Sequence, residues 1–415
     1  MEEWRQDKLV HLLDSLIDYR GKTPRKVNRG IPLITAKIVK NGRIDTPTEF
    51  LDTKDYKNWM IRGFPKIGDV VLTTEAPLGE VAQLNNEKIA LSQRIVCLRG
   101  KEGILDNTYL KYFLFSSLGQ ARLKSRETGT TVTGIKQSEL KEILIDYPSY
   151  RYQKLIAKIL SSLDDKIELN RRINENLEQQ AQALFKSWFV DFEPFKKCEF
   201  IESELGIIPK GWRVIPISEI FNFQEGPGIR NWQYVNNNGT KFINIRCINN
   251  NIINVSNANM ISNEEAQGKY AHFMLNENDI VMSCSGTLGR SAIVLKEYLP
   301  LCLNTSVIRF TPKIERQLGL LYGYLGSSLF LNKQMELATG SAQVNFGPTH
   351  LKEMSIAVPN DDILNNFSDI VNSMIIKKKA IISEIIHLNN LRDTLLPKLM
   401  SGELKFSEME TKLDE

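Results

Sequence analysis

Cysteine is scarce and poorly placed for bridging. The 415 residues hold five, Cys97, Cys198, Cys247, Cys284 and Cys302, and no two form a CxxC pair. That spacing argues against a disulfide framework or a zinc ribbon and makes a reduced, cytoplasmic compartment the expectation. Histidine is scarcer: His11, His272, His350 and His387 stand apart, without HExxH or His–Cys pairing, so no metal site is expected. No apolar run reaches the ~18 residues of a membrane span. The start, Met1-Glu2-Glu3-Trp4-Arg5, lacks the basic-then-apolar order of a secretory leader. An excess of one charge is also missing: 53 Lys+Arg against 49 Asp+Glu leave +4, too little over the whole chain to argue for or against a polyanionic partner.

Catalytic motifs are missing too. Gly21-Lys22-Thr23 looks like the end of a phosphate-binding loop, but Leu16 stands where the upstream glycine is required. Gly226-Pro227-Gly228 begins like a dinucleotide fingerprint and fails at Asn231. Ser283-Cys284-Ser285-Gly286 has no GxSxG frame. Asp164-Asp165 reads as a solvated helix face rather than an acid/base dyad.

What the chain does have is itself, twice. Gly68-Asp69-Val70-Val71-Leu72-Thr73-Thr74 matches Asn278-Asp279-Ile280-Val281-Met282-Ser283-Cys284, and Leu78-Gly79 matches Leu288-Gly289. Thr128-Gly129 matches Thr339-Gly340, Leu140-Lys141-Glu142 matches Leu351-Lys352-Glu353, and Pro148 matches Pro359. The near-constant offset marks a tandem duplication of a unit of roughly 210 residues. Short β-branched segments such as Ile31–Ile38, Asp69–Thr73 and Arg94–Leu98, with a helix over Asn107–Ser116, predict a mixed α/β module in each copy.

The texture changes near Tyr150, because no Gly or Pro occurs between Ser149 and Glu193. Ile156, Leu160, Leu163, Ile167, Asn170, Asn174, Leu177, Ala181, Leu184 and Trp188 alternate steps of four and three, as on a helix packed along one partner. The second copy repeats the phase in Phe367, Val371, Met374, Lys378, Ile381, Ile385, Leu388, Arg392, Leu395 and Leu399. About forty residues at ~1.5 Å each make a rod of roughly 60 Å, and Pro397 should end or kink the second rod in its last turn. Asn170, Asn174, Lys378 and Arg392 interrupt the apolar seam; they either fix register or face solvent where the rods diverge. The expected architecture is α+β: module over 1–150, long helix over 151–197, module over 198–360, long helix over 361–402 and an acidic tail over 403–415. The two helices are expected to pair as an antiparallel coiled coil with pseudo-twofold symmetry, since a lone amphipathic rod leaves its stripe wet.

Polar loop chemistry separates the copies. Residues 1–150 carry 24 Lys+Arg against 19 Asp+Glu, residues 199–360 carry 13 against 13. Arg20, Lys22, Arg25, Lys26 and Arg29 fall within ten residues and suit phosphate contacts. The second copy has Arg230, Asn231 and Gln233 there, side chains able to make paired contacts with purine edges. The candidate contacts with double-stranded DNA are, in the first copy, Arg20, Lys22, Thr23, Arg25, Lys26, Lys37, Thr74, Arg94, Thr130 and Thr131. In the second copy they are Arg230, Asn231, Gln233, Arg246, Ser285, Thr287, Asn304, Gln343 and Asn345. One scaffold with two sets of loops suits two different recognition surfaces.

Leu163-Asp164-Asp165-Lys166-Ile167-Glu168-Leu169-Asn170, continuing to Ala183-Leu184-Phe185-Lys186-Ser187-Trp188-Phe189, resembles the central helix of specificity subunits of type I restriction–modification enzymes. Leu391-Arg392-Asp393-Thr394-Leu395-Leu396-Pro397-Lys398-Leu399-Met400-Ser401-Gly402 resembles their C-terminal helix. The resemblance covers residues 1–402, duplication included. It implies a non-catalytic subunit in which each target recognition domain reads half of a bipartite DNA site and the helices set the gap. It also implies docking of two methyltransferase subunits that use S-adenosylmethionine, joined by restriction/translocase subunits that use ATP and Mg²⁺, with no cofactor and no membrane contact in this chain. A lone nuclease or methyltransferase would need a motif that is missing; a coiled-coil scaffold whose modules bind other proteins is the other alternative.

Overall fold

The computed structural model describes residues 3–404 apart from 22, 130–132, 250, 257 and 340–344. The chain forms two compact units, one gathering the chain up to Glu168 with the segment from His387 onward, the other spanning Leu169–Ile386. The boundary falls inside both long helices, Tyr150–Phe189 and Asp361–Met400.

In the first unit an antiparallel sheet runs Leu13–Asp18, Ile95–Gly100, Val70–Thr74, Leu78–Gln83. Val70-Val71-Leu72 is an unbroken apolar run because both faces of this sheet are buried. Val70 and Leu72 point into a core with Tyr109, Tyr112 and Phe113. Val71 and Cys97 point into a second core shared with Ile31, Leu33 and Tyr19. That second core is closed by a small sheet, Ala90–Leu91, Ile31–Ile34, Phe50–Leu51, Lys26–Val27, whose first pair is parallel.

The second unit repeats this order. Phe221–Glu225, Val307–Pro312, Ile280–Ser283 and Ser291–Ile293 form its antiparallel sheet. Leu301–Leu303, Gly239–Ile243, Asn259–Ser262 and Tyr234–Val235 form the mixed one, again parallel in its first pair. Duplication extends to single hydrogen bonds. Ser116 Oγ accepts from Gly119 N–H at 3.1 Å, and Ser327 Oγ accepts from Phe330 N–H at 3.2 Å, each capping the second helix of a pair. Asp69 and Asp279, both buried, accept from the N–H groups of Lys66 and Asn276 at 2.8 and 2.7 Å. Their charges are met differently. Arg99 grips Asp69 through Nε at 2.8 Å and Nη2 at 2.6 Å. Asp279 receives Thr311 Oγ1 at 2.6 Å, and burial, opposed by that hydrogen bond, raises its carboxyl above the ordinary value.

Within each unit the two long helices lie antiparallel, for partner numbers fall along the second as they rise along the first. In the first unit Tyr152 Oη donates to Leu404 O at 3.1 Å and Asp164 meets Arg392 at 3.0 Å. In the second, Asn170 donates to Glu384 at 2.9 Å, Glu178 meets Lys378, and the Phe189 and Phe367 rings lie 4.8 Å apart. Gly323 permits a close approach to this pair: a Cβ there would sit 2.9 Å from the Phe185 ring.

Of the two alternatives for the polar seam residues one is excluded, and two expectations about the helices need correction. Asn170, Asn174 and Lys378 do not face solvent; they are 1%, 8% and 4% exposed. Arg392 is likewise turned inward, with 12% of its side chain exposed. Asp164 is not on a solvated face: it takes Lys111 Nζ at 2.9 Å, Tyr112 Oη at 2.7 Å and Arg392 Nη1 at 3.0 Å. The stripe also drifts. Ile156, Leu160, Ile167, Ala181, Phe367, Ile385 and Leu399 are buried, but Phe185 and Phe189 occupy the interior while Leu184 and Trp188 are half-buried. Ile375, Ile382 and Leu396 are buried, and Leu163, Leu177, Met374, Ile381, Leu388 and Leu395 lie half-buried beside the line. A helix of 3.6 residues per turn leaves a strict 3.5-residue repeat in this direction. The first helix ends at Phe189, where a turn leads through Phe192 in the left-handed region (φ 52°) to the hairpin Phe200–Ser203/Gly206–Pro209. The second ends at Met400 with Pro397 in its last turn, and Gly402 (φ +72°) lies against the Trp4 indole. The tail beyond Leu404 lies outside the described residues. Among those described, no helix is long and apolar enough to cross a membrane.

Candidate nucleic-acid interface

In the second unit the segments that leave the strands converge at one edge. Strand Phe221–Glu225 runs into a loop held against Asn304-Thr305, where Thr305 N–H donates to Pro227 O at 3.2 Å. Gly226 is required here, since a Cβ would lie 2.5 Å from the Asn304 carbonyl group. Ser306 Oγ accepts from Ile245 N–H at 3.2 Å, which brings in the turn Ile245–Cys247 carrying Arg246. Ser285 pairs with Asn345 through an isolated bridge and a 2.8 Å side-chain hydrogen bond. Thr305 Oγ1 donates to Glu225 Oε1 at 3.2 Å. Glu225, Ser285, Thr305, Asn345 and His350 thus line one depression together with Cys284 and Phe346.

The first unit gathers the same segments. Thr23 Oγ1 donates to Gln93 Oε1 at 3.0 Å, Arg94 Nε faces Glu75 at 3.6 Å, and Glu75 bridges Gly134 as Ser285 bridges Asn345. Thr128 and Gly134 exchange backbone hydrogen bonds of 2.7 and 3.0 Å; Thr339 and Asn345 exchange theirs at 3.0 and 2.8 Å. Framework bonds are therefore common to both units, while the side chains carried on them differ: Glu75 for Ser285, Gly134 for Asn345.

The candidate residues divide by accessibility. Arg25, Lys37, Arg94, Arg230, Asn231, Arg246, Thr287 and Asn345 are exposed, and Ser285 and Asn304 are half-buried beside them. Lys26 sits in the small sheet, paired with Glu49 at 2.8 Å. Arg20 is half-buried. Two candidates belong to the interior instead. Thr74 is 1% exposed at the end of its strand, where its carbonyl accepts from Ile135 N–H at 2.9 Å. Gln233 is buried, donating to Glu265 Oε1 at 2.8 Å and Tyr270 Oη at 3.0 Å and accepting from Arg230 N–H at 3.1 Å. Neither can present its side chain to a partner in this conformation. Lys22, Thr130, Thr131 and Gln343 lie outside the described residues.

Glu75, Glu225 and Thr305 are members of these clusters that the sequence reading did not select. For Glu75 and Thr305 the signal available was positional, since they adjoin the strands recognised at Asp69–Thr73 and, through its copy, Arg94–Leu98; for Glu225 there was none. Cys284, in the second cluster, is no nucleophile here: burial first, and Glu225 second, push its thiol up to about 12. The ensemble offers fixed amide, hydroxyl and guanidinium groups on a rigid frame, which is equipment for recognition.

A family model for the type I restriction modification DNA specificity domain matches residues 1–179 and again 209–387. The chain is 31% identical over 387 residues to the specificity subunit of the type I restriction enzyme MjaIX of Methanocaldococcus jannaschii, covering 91% of this chain and 88% of that one. It is 25% identical over 337 residues to the HindI specificity subunit of Haemophilus influenzae, covering 66% and 72%. Among solved structures, the S subunit of a type I restriction–modification system from M. genitalium shares the fold, with a TM-score of 0.52 over 96% of each chain at 18% identity.

Proposed function

From the premise that this chain belongs to the type I restriction–modification DNA specificity family, with two copies of the family's domain, we propose that each unit reads one half of a bipartite, asymmetric duplex target. The two long helices set the gap between the halves and dock two methyltransferase subunits. The chain does no covalent chemistry itself; S-adenosylmethionine is used by the methyltransferase subunits, and ATP and Mg²⁺ by restriction/translocase subunits that join them.

One observation carries this reading. The two units keep the same strand order and the same framework hydrogen bonds yet present different polar side chains on them. A duplicated scaffold serving one symmetric ligand has no reason to carry different polar side chains at equivalent loop positions. Phosphate contacts from exposed arginines and lysines supply salt-dependent affinity, and the asparagines, serines and arginines at the strand ends supply base discrimination. Selection from a randomised duplex library, using the chain with its methyltransferase subunits, tests the proposal. Enrichment of two unlike short motifs at a constant separation is expected. No salt-dependent binding and no enriched motif would instead make the modules protein-binding scaffolds.

A further inference from the structure

Resting on that reading, we propose that Trp232 is a specificity-determining residue, an aromatic wedge that the second unit inserts at one base step of its half-site. The four other tryptophans are built into the protein. Trp4 packs on the first core, Trp59 donates to Leu91 O at 3.0 Å and stacks on Tyr19, Trp188 lies against Phe367, and Trp212 is buried. Trp232 is 82% exposed.

Its exposure is held in place rather than left loose. Trp232 is the middle residue of the short turn Asn231–Gln233. Gln233 behind it uses its whole amide, accepting from Arg230 N–H at 3.1 Å and donating to Glu265 at 2.8 Å and Tyr270 at 3.0 Å. Ile229 ahead of it is buried in the small core with Phe242 and Ile261. The indole therefore stands on a turn pinned at both ends and follows directly on the exposed cation of Arg230 and the exposed amide of Asn231. A large flat apolar group carried on the same short turn as a phosphate-seeking cation and a base-reading amide fits a groove of duplex DNA. The first unit has no counterpart: counted from the equivalent strands Lys26–Val27 and Tyr234–Val235, the matching residue is the buried Pro24.

Apolar side chains inserted between base pairs partly unstack them, and the cost depends on the step being opened. Pyrimidine–purine steps open most easily. Trp232 accordingly reads deformability at a TA, CA or TG step, adding discrimination where its neighbours supply hydrogen bonds.

The test uses the full chain co-expressed with its methyltransferase subunits in a host without other adenine methylation, with genome-wide methylation mapping as the readout. Wild type should give a bipartite motif. Trp232→Ala should give the same motif with discrimination at one pyrimidine–purine step of one half reduced about ten-fold, within the range that one base position supplies. The other half and the gap should be unchanged, and Trp232→Phe should retain the preference. A Trp232→Ala motif identical to wild type overturns the inference. So does uniform loss of methylation at all sites, which would make Trp232 a source of affinity alone. A lowered thermal midpoint of the purified Trp232→Ala chain overturns it as well, since a wedge awaiting DNA holds nothing in the free protein. Absence of any bipartite motif in wild type would instead refute the underlying reading, and this inference with it.

Discussion

Asp164→Leu removes the anion on which Lys111, Tyr112 and Arg392 converge. The two cations do not depend on it equally. Arg392 also donates to Asp393 through Nε and Nη2 at 3.0 and 2.8 Å, whereas Lys111 retains only the Tyr112 hydroxyl at 3.4 Å and the face of that ring. Lys111 is thus the stranded charge, on a side chain 10% exposed. Stranding a buried charge costs about 3–5 kcal/mol, and because the Asp164 side chain is 21% exposed, we expect the low end, roughly 3 kcal/mol at pH 7. Lys111→Met in the same chain should restore most of it, giving a coupling of about 2 kcal/mol. The sign with pH is fixed. Burial pushes the Asp164 carboxyl up, but the Lys111 ammonium, the hydrogen bonds from Lys111 and Tyr112, and Arg392 together hold it below 3.8. A depressed folded value means the contribution is full above about pH 4 and fades as pH falls through the lower folded value. Hydrogen exchange of peptides from 107–124 and 150–168, measured across a urea series, reads the first unit locally. A cost below about 1 kcal/mol at pH 7, or a cost undiminished at the acid end, would refute the reasoning.

Further outcomes follow from the same geometry. Lys378→Met leaves the half-buried Glu178 carboxylate facing the Tyr322 hydroxyl, so hydrogen exchange in the second unit should show a loss of about 2–4 kcal/mol, more than half of it recovered by Glu178→Gln. Arg99→Leu should lower the first unit's stability by about 3–5 kcal/mol by leaving Asp69 unpaired. Thr311→Val should cost the second unit only about 1–2 kcal/mol, the loss of one hydrogen bond to Asp279. Inserting seven residues into both long helices keeps the seam in phase and adds ~10 Å to each. Methylation mapping should then show the same half-sites separated by a longer gap.

The duplication was readable because its framework is a burial pattern. Gly68-Asp69-Val70-Val71-Leu72 and Asn278-Asp279-Ile280-Val281-Met282 each place a buried aspartate ahead of a strand with two covered faces, and both requirements leave marks in the residue types. The helices were readable from unbroken helical periodicity. Which residues fill their interior was read less well: Phe185 and Phe189 displace Leu184 and Trp188 because a nearly straight helix outruns a seven-residue repeat. The inward turn of Lys378, Asn170 and Asp164 was invisible, because what makes it affordable lies far along the chain, in Glu178 and Tyr322, in Glu384, and in Lys111 and Arg392. Loop side chains were hardest. Gln233 carries a base-reading functional group, yet Glu265 and Tyr270 take it up internally, and nothing local distinguishes it from the exposed Asn231 two residues earlier.

The central claim is that two independent readers share one chain. Exchanging residues 199–360 for the corresponding module of a relative with a different second half-site, then mapping methylation in a host that carries the full complex, tests it most directly. One half of the motif should become the donor's while the other half and the gap stay as they were. A motif altered in both halves, or in neither, would contradict the claim.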